Sequence, residues 1–255
     1  MLKAALLVLF CASVALPAGA AAAHLPAAKA VYPDPSNYKD FRYHALVIGV
    51  DREPVNGSGS TCHVPYAGRL SAFLKKWKCF SGGVVTLKGA EATKPRIAAA
   101  ISGMRLGPKD VLVIYYGGHG DYAGIMCGDG QNLSPDDLFG YMKRSGAGFN
   151  VLLVSACYSG IFSDPDEEWS ESPRPKFAVA TSAGEDSATT FGEVGFGPYL
   201  LKFLKLKYGS AGGVVTLGGL ADFIKTENAS WKKRGKTRLS YGRNYGPEDS
   251  VLFWN

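Results

Sequence analysis

Two side chains capable of acyl-transfer chemistry stand at comparable places in this sequence. Cys157 lies in Val154-Ser155-Ala156-Cys157-Tyr158-Ser159-Gly160, directly after the apolar run Val151–Val154. His119 lies in Gly117-Gly118-His119-Gly120, directly after Asp110–Tyr116 (DVLVIYY). A thiol is a weak nucleophile until a nearby imidazole lets the thiolate form or takes the proton during attack. The oxyanion that follows needs preorganised donors. The backbone N–H groups of Cys157 and Gly120 are placed for that role, and Gly120 leaves room for a substrate carbonyl. The alternative is structural: a buried histidine, and a cysteine held in a disulfide.

The surrounding pattern must position this pair. His44–Asp51 (HALVIGVD) reads as a buried strand, and Val64–Lys78 carries Ala67, Leu70, Phe73, Leu74 and Trp77 at helical spacing. Gly83–Leu87 is a second strand, and Thr93-Lys94-Pro95 opens a helix running to about Met104. Asp110–Tyr116 is the third strand, and residues 121–133 are Gly-rich and hairpin-like. Ser134-Pro135-Asp136-Asp137 starts a helix that ends near Gly146, with a capping hydroxyl, an early proline and acids at the positive end. Asn150–Ser155 and Lys176–Ser182 are the fourth and fifth strands. Helices follow near 197–208 and 217–230, and Asp249–Trp254 is a last strand. Wholly apolar strands alternating with amphipathic helices specify a mostly parallel sheet covered on both faces. Sites in such sheets lie beyond the carboxyl ends of the strands, where both His119 and Cys157 fall. Right-handed crossovers put consecutive parallel strands side by side, which brings the two together.

The chain of 255 residues suits one sizeable domain with a real core, and its 46% apolar and 20% charged residues are those of a globular protein. The net charge of +6 is scattered apart from Lys232–Arg238, which reads as a solvated face. No aromatic interleaving or nucleic-acid motif accompanies it, so no nucleic-acid partner is expected. Lys3, the apolar Ala4–Val14 and the small residues through Ala23 read as a secretory signal cut within 20–23. About 11 apolar residues are too few to cross a bilayer, which needs about 20. The expected product is a secreted, soluble monomer: signal 1–23, extended segment 24–42 and one domain over 43–255.

Cys62, Cys79, Cys127 and Cys157 remain after the signal. If all four pair, Cys157 is structural; if Cys157 is the nucleophile, at most one bridge forms among the others. A helix of about 15 residues, rising about 1.5 Å per residue, separates Cys62 from Cys79, so a bridge from either to Cys127 is favoured over one between them.

The strand–YGGHG turn, followed by the strand–SACYSG turn, resembles the caspase-like (clan CD) cysteine peptidases, metacaspases above all, with the legumain-type branch second. HALVIGVD is similar to that family's first strand, and FAVATSAGEDSATTF to its fifth strand with the serine-bearing turn, here Ser187. The resemblance runs from about residue 44 to the end. It implies a three-layer α/β sandwich with a mostly parallel six-stranded sheet flanked by helices, and an endopeptidase using a His119–Cys157 dyad on polypeptide substrates. A legumain-like ligase or transamidase, and an inactive binding relative, are the alternatives. Metacaspases carry an acid two positions before the cysteine, where this chain has Ser155, and another early in the first helix, where it reads Val64-Pro65-Tyr66-Ala67. The substrate pocket therefore does not transfer with the dyad. Asp51 and Asp186, both on the active edge, are the acids that favour a Lys or Arg P1 residue, while Ser155 leaves a small or Asn residue open. Ser187 is carried over to the pocket by the resemblance.

Ser163–Glu171 (SDPDEEWSE) is an acidic segment, and Arg174 and Lys176 beyond it are candidate self-processing points. Its acids lack the spacing of an EF-hand loop, and the Cys and His residues lack zinc spacing, so no cofactor or metal is expected; calcium stimulation is a property only of the resembling family. His44 and His63 read as packing or surface histidines. Asn56, Asn132 and Asn228 begin glycosylation triplets.

Overall fold

The computed structural model describes residues 32–51, 61–163, 177–183, 195–208, 210, 213–233 and 244–255. A six-stranded sheet forms its centre. Five strands are parallel: β1 (Arg42–Gly49), β2 (Val84–Lys88), β3 (Asp110–Gly117), β7 (Phe149–Ser155) and β8 (Phe177–Thr181). The short β10 (Asn244–Tyr245) adds antiparallel to β8, and the spatial order is β10-β8-β7-β3-β1-β2. Strand alternation sends successive residues to opposite faces. Tyr43, Ala45, Val47, Val113, Tyr115 and Leu153 pack on one face with α1 (His63–Leu74), α4 (Phe196–Tyr208) and α5 (Leu217–Lys233). Leu46, Ile48, Ile114, Tyr116, Leu152 and Val154 pack on the other with α2 (Lys94–Gly103) and α3 (Pro135–Arg144). Two cores on either side of one sheet make the three-layer sandwich expected from the apolar strands.

Local signals place the helices of the second layer. Thr93 Oγ1 accepts from the Arg96 N–H at 3.3 Å, and Ser134 Oγ from the Asp137 N–H at 3.2 Å, with a proline in each first turn. Asp136 and Asp137 sit at the positive end of α3, and Lys143 and Arg144 at its negative end. Lys94 and Asp137 join α2 to α3 at 2.6 Å.

One strand is elsewhere than its sequence suggests. The closing segment does not add to the central sheet: β11 (Val251–Trp254) pairs antiparallel with β9 (Val214–Thr216) in a separate ribbon. Val251, Leu252 and Phe253 are all buried, and Phe253 packs on Trp77 and Phe80 at 6.1 and 5.7 Å between ring centroids. The apolar run is consumed by the α1 layer, and the sheet's sixth position goes to the two-residue β10. Residues 120–133 form the small meander β4 (Gly120–Asp121), β5 (Gly124–Met126) and β6 (Asn132–Leu133), as the glycine-rich composition suggested. The Asn132 amide there is engaged, donating to both Asp121 carboxylate oxygens at 3.1 and 3.0 Å.

Among the described residues no disulfide forms, so neither expected bridge to Cys127 is present. Cys79 is buried in the α1 layer and Cys127 in the α2–α3 layer, so the sheet itself separates them. Burial pushes both thiols up to about 12. The far edge of the sheet carries a knot of charge. Asp110 accepts from Arg42 Nε at 2.7 Å and Nη2 at 3.0 Å, from the Gly107 N–H at 2.8 Å, and pairs with His44 Nε2 at 3.0 Å. His44 is thus a buried packing residue, tying β1 to β3.

Candidate active site

The parallel pairing of β3 with β7 sets Gly117 opposite Ser155 at the strand ends. His119 and Cys157 each follow two residues later, so they leave neighbouring strands at the same level of the carboxyl edge. The turn carrying His119 is fixed through its main chain. The Gly118 N–H donates to the Ser155 carbonyl at 3.1 Å, and the His119 carbonyl accepts from the Met126 N–H at 3.0 Å and the Tyr116 hydroxyl at 2.9 Å. Tyr116 is fully buried and shares its single hydroxyl proton between the His119 carbonyl and the Met126 carbonyl, the latter at 2.7 Å, so the strand beneath anchors the turn above it.

The β4–β5 hairpin orients Gly120. With His119 bonded to Met126, antiparallel alternation leaves Gly120, opposite Ile125, at a position whose N–H faces away from β5. A Cβ at Gly120 would lie 2.6 Å from the Cys157 carbonyl oxygen, 3.2 Å from the Ala156 Cβ and 3.3 Å from the Gly124 carbonyl oxygen. Only glycine allows this approach. The main chains of Gly120 and Cys157 therefore meet, as two amides sharing one oxyanion must.

Cys157 is held from the other side by the end of β8. The buried Ser182 hydroxyl accepts from the Ala156 N–H and donates to the Ala156 carbonyl, both at 3.0 Å. Ser159 Oγ accepts from the Ala183 N–H at 3.0 Å. Tyr158, directly after the thiol, takes a left-handed φ of 54°, a conformation unfavourable for a side chain with a Cβ. Its ring packs on the exposed Tyr122 with centroids 4.3 Å apart. Cys157 is half-buried at the centre of this arrangement.

A cleft of about 620 Å³ opens beside the pair, between α1 and α4. Neither His119 nor Cys157 lines it. It reaches them through Ser155, two residues before the thiol, and through His63, whose ring lies edge-on to His119 at 6.2 Å between centroids. Arg69, Lys202 and Lys205 also line it. His63 is 4% exposed, and burial, with the neighbouring His119 adding to it, pushes its imidazole down to about 4. It is neutral at neutral pH.

Asp51 holds α1 in place here. Its carboxylate accepts from the His63 N–H at 2.7 Å and the Val64 N–H at 3.2 Å, capping the helix from the end of β1 where Cys62 makes no side-chain cap. Among the residues expected at the site, His119, Gly120, Ser155 and Cys157 come together on one edge, with Asp51 at the foot of α1. Asp186, Ser187, Arg174 and Lys176 lie outside the described residues, as does most of the acidic segment 163–171. Sequence reasoning missed His63, Ser182 and Tyr115, which lines the cleft from β3. His63 and Ser182 obey the same strand-edge rule as the dyad: Ser182 directly follows the fifth strand, and His63 opens the helix after the first.

No family model matches this chain, and no curated protein matches it. Solved structures share its fold. Protein GSU0716 from Geobacter sulfurreducens superposes with a TM-score of 0.54 at 16% identity, over 80% of this chain and 93% of that one. Caspase-1 from Spodoptera frugiperda superposes with a TM-score of 0.52 at 12% identity, over 84% of this chain and 89% of its own. The chain is an α/β protein of caspase-like fold.

Proposed function

We propose that this protein is a secreted cysteine endopeptidase of the metacaspase-like kind. The observation that carries the reading is the register of β3 and β7, which releases His119 and Cys157 from adjacent strands at one level, with the Gly120 and Cys157 main chains in contact. Cys157 attacks the scissile carbonyl, and His119 takes the thiol proton and returns it to the leaving amine. The Gly120 and Cys157 amides bind the oxyanion of both tetrahedral intermediates. Water then attacks the thioester carbonyl and releases the acid, regenerating the thiol. The caspase-like fold supports this assignment.

The test is turnover of a mixed peptide library by purified protein, beside Cys157→Ala and His119→Ala. Cleavage by the wild type and its loss in both variants is expected. A ligase would instead pass the acyl group to an added amine in competition with water. A wild type that cleaves nothing, with both variants indistinguishable from it, would leave only the fold and remove the peptidase reading.

A further inference from the structure

We propose that Tyr122 is a positioning residue for the nucleophile: its ring holds Tyr158 in the left-handed conformation that closes the turn carrying Cys157. The inference rests on the peptidase reading and adds a residue to its machinery.

The turn is gripped at both ends. Ala156 is bound through both backbone groups to the Ser182 hydroxyl, and Ser159 Oγ accepts from the Ala183 N–H. Both partners directly follow β8, so the chain must leave Ala156 and return at Ser159 over the same strand end. Cys157 and Tyr158 form the arc between, and Tyr158 reverses it at φ 54° and ψ 16°. Two non-glycine residues among the described ones have a positive φ, Arg105 and Tyr158. Arg105 follows the end of α2, where a left-handed residue is ordinary. Tyr158 instead precedes a short 3-10 helix, Ser159–Phe162. Its Cβ makes the left-handed form about five- to thirtyfold less favourable than the right-handed one.

The hairpin that reaches Cys157 also supplies the contact that offsets this cost. Gly120 in β4 meets the Cys157 carbonyl, and two residues on, Tyr122 stacks on Tyr158 with centroids 4.3 Å apart and planes at 42°. Tyr122 is 70% exposed, so its ring holds no core together. Asp121 fixes the hairpin between these two contacts: its carboxylate accepts from the Ala123 N–H at 2.8 Å and from the Asn132 amide. A stacked aromatic pair favours its contact by about two- to tenfold, which is on the scale of the left-handed cost. Without the ring, Tyr158 relaxes toward the right-handed region. An anchor at the end of β8 must then part, or the Cys157 main chain must move off Gly120, and the oxyanion site loses its geometry.

The experiment uses the full chain, a peptide that the wild type cleaves, and amide exchange over residues 156–163 read by mass spectrometry. Tyr122→Ala should lower kcat by about two- to tenfold with KM nearly unchanged, and quicken exchange by a similar factor. Tyr122→Phe, which keeps the ring, should recover most of the loss. In a Tyr158→Asn background the left-handed form costs little, so Tyr122→Ala should change either readout by less than about twofold. Tyr158→Gly serves if Tyr158→Asn does not fold. Unchanged kcat and exchange in Tyr122→Ala, a loss confined to KM, or an equal loss in both backgrounds would overturn the proposal. The expected exchange pattern without wild-type cleavage would remove the peptidase reading and keep the positioned turn. Wild-type cleavage that ignores Tyr122→Ala would do the reverse.

Discussion

Replacing Gly120 by alanine tests the contact on which the oxyanion site depends. The new Cβ would stand 2.6 Å from the Cys157 carbonyl oxygen and 3.2 Å from the Ala156 Cβ. Neither atom is the end of a side chain that can rotate away, so the turns after β3 and β7 must separate. Relieving the closest contact to van der Waals distance needs a shift of about 0.8 Å. A misplacement of roughly 1 Å costs on the order of 100-fold in rate, and loss of an oxyanion donor costs about 10²–10³-fold. Gly120→Ala should therefore lower kcat/KM on the order of 100-fold, chiefly through kcat. Overpacking should also cost about 1–3 kcal/mol, less than the roughly 5–15 kcal/mol stability of a typical domain, so the protein should still fold. Steady-state kinetics beside a thermal melt separates the two effects. Gly103→Ala is the control, because a Cβ at that end of α2 meets nothing within 4 Å; melt and rate should both stay near wild type. A Gly120→Ala protein with a lowered Tm but unchanged kcat/KM would refute the oxyanion assignment.

Ser182→Ala removes the hydroxyl that clamps both backbone groups of Ala156, and should destabilise by about 2–4 kcal/mol while lowering kcat, read by denaturant melts and kinetics. Burial alone raises the Asp110 carboxyl, but Arg42, the Gly107 N–H and His44 outweigh it and hold it at about 2. A folded value below the unfolded one gives stability that is present above about pH 4 and lost as pH falls toward 2. Asp110→Asn should lower Tm at neutral pH, with the difference from wild type shrinking over that window. His63 is also depressed, to about 4, but it is a base: the unfolded chain gains its proton first, so stability falls between about pH 6.5 and 4, by up to about 3 kcal/mol. His63→Phe should flatten the melting curve across that range, and an equally steep acid dependence would contradict the burial argument.

Elements that are apolar on both faces over a continuous run were legible in the sequence. HALVIGVD, DVLVIYY and the run before Cys157 could only be buried strands, and the parallel sheet they imply already put His119 and Cys157 on one edge. Capping serines, threonines and prolines marked α2 and α3 within a residue or two. What failed was assignment among equally apolar partners. DSVLFW has the composition of a sheet strand, and nothing in it tells the central sheet from a two-stranded ribbon beneath Trp77 and Phe80. The candidate site divided along the same line. Its dyad was readable because strand ends and glycines are local signals. Its cleft was not, because Tyr115, His63 and Gly197 come from three separate elements and meet only through packing. Asp51 shows the limit of reading charge from position: its carboxylate also accepts from two backbone amides of α1, a role that its place after the first strand did not announce.

The central claim is that Cys157 is the nucleophile and His119 its base. Cys79 and Cys127 are buried and their thiols pushed up to about 12, which leaves Cys62, in the cleft wall, as the rival thiol. Intact protein should be incubated with a peptidyl electrophile at a stoichiometric dose, and the adduct mapped by mass spectrometry. The account predicts one adduct per chain on Cys157, absent in Cys157→Ala and strongly slowed in His119→Ala. An adduct on Cys62, or equal labelling of wild type and Cys157→Ala, would contradict it.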